Sequence, residues 1–149
     1  MKKLALITSV VMLGAMTALA GTISVPAFND GGDNTNAQLF PSNGLQATFI
    51  ALKNNDATTN TYTVLYFFNT GVSRTPAANT FTIAGNAARG WRPVADDPNE
   101  GVGQAIPNAT GTAGAGSATI LYDDAVAPSG RVLINVGTVN SSYSFALVP

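Results

Sequence analysis

The chain has 149 residues with no histidine and no cysteine, and only 10% of them are charged. That composition excludes Ser-His-Asp and Cys-His nucleophiles, histidine general acid–base chemistry, and zinc, copper or iron held by His or Cys. With 7 basic against 8 acidic side chains, the chain carries no basic surplus with which to grip phosphates, and nucleic acid is excluded as a partner.

Residues 1–20 read as a secretory leader helix. Lys2 and Lys3 precede an apolar run from Leu4 to Leu13, and Ala18-Leu19-Ala20 supplies the small-x-small pattern a signal peptidase needs. The run is shorter than the roughly 20 residues that span a bilayer, so cleavage after Ala20 is expected rather than anchoring. The expected product, residues 21–149, is secreted to the periplasm or the cell exterior and has no membrane span. It is long enough to bury one core without disulfide staples. It keeps five basic residues, Lys53, Arg74, Arg89, Arg92 and Arg131, against eight acidic ones, a balance of −3. Charge this sparse leaves solubility to Thr, Ser, Asn and Gly and does little to keep copies apart.

Past the leader, alternation with a period of two dominates and no segment carries a sustained helical stripe. Thr22 to Phe28 alternates, and Pro26 demotes it to an edge or bent strand. Asn29 to Asn36 is a Gly/Asn/Asp loop. Leu45 to Lys53 is a strong strand, Asn54-Asn55-Asp56 opens a turn-rich link, and Tyr62 to Asn69 is the best strand of the chain. Those two runs are expected to pair as a hairpin. Thr80 to Ile83 is a short strand. Gly85 to Gly116 reads as a long irregular segment broken by Pro93, Pro98 and Pro107. Ser117 to Tyr122 is a strand, and Arg131 to Val136 pairs with Ser142 to Val148 in a closing hairpin.

About seven strands follow, which predicts an all-β fold: a single antiparallel β-sandwich over residues 21–149. The strings Phe49-Ile50-Ala51-Leu52-Lys53-Asn54-Asn55 and Tyr62-Thr63-Val64-Leu65-Tyr66-Phe67-Phe68, with the turn at Gly71 and Phe81-Thr82-Ile83, resemble the front half of immunoglobulin-like sandwich domains of secreted bacterial surface proteins. The Cys…Trp…Cys signature of antibody-type domains is missing. The resemblance implies an architecture, with which adhesion, display or spacing roles are associated.

Three sets of residues carry candidate chemistry. Arg89-Gly90-Trp91-Arg92-Pro93 holds the only Trp between two Arg. An exposed Trp91 would stack on a sugar or a partner side chain while Arg89 and Arg92 supply hydrogen bonds. The competing expectation is that Trp91 anchors its segment to the sandwich and the two Arg pair with Asp96, Asp97 or Glu100. The second set is acidic: Asp30 and Asp33 in the first loop, and Asp96, Asp97 and Glu100 in the long one. Loop oxygens suit calcium, although neither string has EF-hand spacing, and Asp capping its own turn is the alternative. No other cofactor is expected. The third set is a carboxylate pair for a small glycan hydrolase, drawn from Asp96, Asp97, Glu100, Asp123 and Asp124. The leading expectation is a non-enzymatic surface, adhesion or matrix module whose partner is an extracellular protein or glycan. Self-association by donation of the Thr22–Phe28 strand is the alternative.

Overall fold

The computed structural model describes residues 21–31, 46–94, 106–111, 114–136 and 141–149. Its regular elements are all strands: β1 (Gly21–Asp30), β2 (Gln46–Lys53), β3 (Asn60–Phe68), β4 (Thr80–Ile83), β5 (Ala88–Trp91), β6 (Gly114–Tyr122), β7 (Ser129–Val136) and β8 (Ser141–Leu147). They build two four-stranded antiparallel sheets, ordered β1-β6-β3-β4 and β5-β2-β7-β8. Inward residues of both sheets meet in one cluster, as a β-sandwich requires.

Alternation along each strand decides which side chains enter that cluster. Tyr62, Val64 and Tyr66 of β3 are buried, as are Ala118, Ile120 and Tyr122 of β6, Ile50 and Leu52 of β2, and Val132 and Ile134 of β7. Each fully buried aliphatic side chain contributes about 1.5–3 kcal/mol relative to exposure. Aromatic rings add directed contacts. Tyr62 stacks on Phe81 with centroids 5.7 Å apart, and Phe81 meets Trp91 at 5.4 Å.

Among the described residues, β1 runs along the edge of its sheet, paired only with β6. Pro26 cannot donate to a ladder, and the register shifts between Val25 and Phe28. That bulge changes which parity faces inward. Ile23 and Val25 are buried before it, and Phe28 and Asp30 after it. An acidic residue is thereby turned into the interior.

Two expectations are corrected here. β2 and β3 do not form a hairpin; they belong to opposite sheets, and the chain between them crosses the sandwich. Asn54 fixes that crossing. Its side chain is buried, and its amide donates to the Thr58 carbonyl at 2.7 Å and to the Ile83 carbonyl at 3.0 Å. Its Oδ1 accepts from the Asp56 backbone N–H at 2.9 Å. The second correction is β5, a strand inside the stretch read as irregular. It pairs with β2 from Ile50↔Trp91 to Lys53↔Ala88.

Gly85 closes the Asn54 corner from the other side. A Cβ there would fall 1.9 Å from the Ala57 carbonyl oxygen, a backbone atom with little room to give. Gly85→Ala is expected to destabilise the fold by about 1–3 kcal/mol, read as a lower urea midpoint at unchanged slope.

Candidate binding face

The residues singled out from sequence fall in very different places. Trp91 ends β5 facing inward and is 0% exposed. Its indole Nε1 donates to the Tyr66 hydroxyl at 2.8 Å, and that hydroxyl donates to the Pro107 carbonyl at 2.9 Å. The exposed stacking role is therefore corrected: Trp91 anchors its segment to the core. Arg92 is also interior and pairs with Asp30. Asp30 is correspondingly an interior residue at the end of a strand rather than a ligand at a loop apex. Its Oδ1 accepts from Arg92, and its Oδ2 accepts from the Val94 backbone N–H at 3.2 Å. Asp33, Asp96, Asp97 and Glu100 lie outside the described residues. Arg89 sits half-buried on β5.

Arg74, not singled out from sequence, is a third interior cation at 1% exposure. Its Nε donates to the Thr110 carbonyl at 3.0 Å, and its guanidinium lies 4.5 Å from the Phe68 ring centroid. Burial pushes that guanidinium below its ordinary value, and the Asp30 charge opposes the shift. Tyr62 shows the same cause acting on an acid. Burial and its 2.7 Å hydrogen bond to Asp124 hold the phenol above its ordinary value. The same bond ties Asp124, one of the carboxylate candidates, to the buried Tyr62. Among the described residues, no three carboxylates converge in a way that would hold a metal ion.

No family model, curated protein or solved structure matches the chain. The site must therefore be read from its own geometry.

Once Arg74 and Arg92 are inside, the basic residues left outside the first twenty are Lys53, Arg89 and Arg131. Lys53 and Arg131 stand on the outward face of the neighbouring strands β2 and β7, whereas half-buried Arg89 lies opposite the buried Leu52, on the inward side of β5. Leu52 pairs with Arg89, Ala51 with Arg131, and Lys53 with both Ala88 and Ser129. Small residues at Ala51, Ala88 and Gly130 leave a surface cleft of about 250 Å³, with Lys53 and Arg131 in its lining. Gly130 faces inward between Leu52 and Leu147, and a Cβ there would come within 2.6 Å of the Ala51 carbonyl oxygen.

Lys53 is tied down within this face. Its Nζ donates to Asn55 Oδ1 at 3.0 Å, Asn55 Nδ2 donates to the Ala127 carbonyl at 2.9 Å, and Ser129 Oγ reaches Asn55 Oδ1 at 3.4 Å. Asn55 so joins the end of β2 to the turn that enters β7. The outcome is an open, cationic patch with hydroxyl and amide groups beside it. Such a patch offers charge and hydrogen bonds to an anion.

Proposed function

We propose that the protein is exported and works by contact, binding carboxylate-bearing extracellular glycan on the outer face of the β5-β2-β7-β8 sheet. The observation that carries this reading is the placing of Lys53 and Arg131 on the outward face of the adjacent strands β2 and β7, both lining one cleft. Lys53 and Arg131 meet the carboxylate, Ser129 and Asn55 face hydroxyls, and the Ala51–Ala88 floor accepts the apolar side of a sugar ring. Charge-assisted contacts of this kind suit a chain that is otherwise nearly neutral, since little competing field surrounds them.

Export is supported by the leader pattern, Lys2 and Lys3 before an apolar run and Ala18-Leu19-Ala20 after it. The resemblance to immunoglobulin-like domains of secreted bacterial surface proteins is part of the same reading, with two antiparallel sheets over one core as its support.

The test is a binding isotherm of the full chain on immobilised polygalacturonate, with neutral dextran as control. Wild type is expected to bind the acidic polymer alone, and more weakly as salt rises. Lys53→Ala combined with Arg131→Ala should weaken binding at least about tenfold, equivalent to about 1.4 kcal/mol, while the circular dichroism spectrum stays unchanged. Equal binding by the double variant, or equal binding to dextran, removes the proposal.

A further inference from the structure

We infer that the protein associates with a second copy of itself through the free edge of β8. A sheet edge is a row of unpaired N–H and C=O groups, and proteins blunt such edges with proline, charge, bulges or shortness. Among the described residues the two sheets have four edges, namely β1, β4, β5 and β8. β1 carries Pro26 and a bulge. β4 and β5 are only four residues long. β8 runs seven residues, Ser-Ser-Tyr-Ser-Phe-Ala-Leu, with no proline and no charge. Its inner side pairs with β7 from Gly130↔Leu147 to Val136↔Ser141, and among the described residues nothing pairs with its outer side. Ser142, Ser144 and Ala146 are exposed along it.

The occupant follows from the strand's own sequence. An uncharged edge does not select a charged peptide, but it is complementary to itself. Antiparallel pairing about a twofold axis through Ser144 sets Ser144 against Ser144, Ser142 against Ala146, position 143 against position 145, and Ser141 against Leu147. The exposed positions Ser142, Ser144 and Ala146 then each meet a small, uncharged residue, so no like charges oppose one another there. The product is one continuous eight-stranded sheet. Residues directly opposite each other in an antiparallel pair share a face, so both Lys53–Arg131 clefts would open on the same side. An edge-only interface is small and gives a weak dimer.

Charge exchange at the symmetry centre tests this. The full chain, expressed from Met1 and purified as the cell processes it, is followed by sedimentation equilibrium over a concentration series. Wild type is expected to show a monomer–dimer equilibrium. Ser144→Lys and Ser144→Glu each place like charges opposite one another and should raise the dissociation constant at least about tenfold, equivalent to about 1.4 kcal/mol. An equimolar mixture of the two variants should recover dimer at or above the wild-type level. Ser144 is exposed, and circular dichroism confirms that each variant is folded. A wild type that stays monomeric overturns the inference. So does a dimer that neither variant weakens, or a mixture that fails to recover. The polygalacturonate isotherm reads a different surface, so either result stands without the other.

Discussion

Trp91→Ala is expected to lower the stability of the fold by about 3–5 kcal/mol, a large share of the roughly 5–15 kcal/mol that holds a domain of this size together. The indole is 0% exposed and packs on Phe81 with centroids 5.4 Å apart, so truncation empties a volume walled by both sheets. It also strips the Tyr66 hydroxyl of its donor, which lies 2.8 Å away. Urea denaturation followed by circular dichroism reads the loss, because the variant has no other Trp to report by fluorescence. Trp91→Phe separates the two contributions. It keeps a ring against Phe81 but removes the indole N–H, and should fall between wild type and Trp91→Ala. Neither variant should alter polygalacturonate binding under conditions where it remains folded, since Trp91 is on the inward side of β5 and the cleft is on the outward side. A variant with unchanged stability and lost binding would return Trp91 to the role of an exposed recognition residue.

The contrast between Trp91 and Lys53 shows what the sequence could and could not disclose. Alternation with turn residues located most of the strands. Thr80–Ile83 was placed to the residue, and the β7–β8 hairpin closely, because Phe81 and Ile83, and Val132, Ile134 and Leu147, alternate as strong apolar side chains on the inward side. β5 escaped because Ala88-Arg89-Gly90-Trp91 has no β-branched residue and a single large apolar one. The β2–β3 pairing failed for a different reason. Alternation tells which face a residue occupies but not which sheet its strand joins, and the buried Asn54 that turns the chain across the sandwich looks like any Asn in a link. Pro26 did announce an edge strand with a bend. The consequence for Asp30 was not visible, because one extra residue in a bulge reverses the parity of everything after it. The cationic face was hidden too. Lys53 and Arg131 are far apart along the chain and become neighbours only through the register of β2 and β7.

That reversed parity sets up the second large effect. Asp30→Ala is expected to destabilise the protein by about 3–5 kcal/mol, because it takes the carboxylate from an Arg92 guanidinium that is 2% exposed. The Val94 backbone N–H loses its acceptor in the same step. Removing both partners should behave differently. In Asp30→Leu with Arg92→Met, no charge of the pair is left in the interior, and apolar side chains fill the space. Stability should return to within about 1–2 kcal/mol of wild type, since two buried charges give up hydration that their mutual attraction only partly restores. A denaturant series on the wild type, both single variants and the pair closes the double-mutant cycle and yields the coupling directly. Amide hydrogen exchange along β1 completes the argument. If the ion pair specifies the register beyond the Pro26 bulge, Phe28 to Asp30 lose protection in the double variant even where global stability is restored. If protection persists, Ile23, Val25 and Phe28 in the core are sufficient to hold β1 in place, and the pair serves to make an acidic residue tolerable at a position the bulge has turned inward.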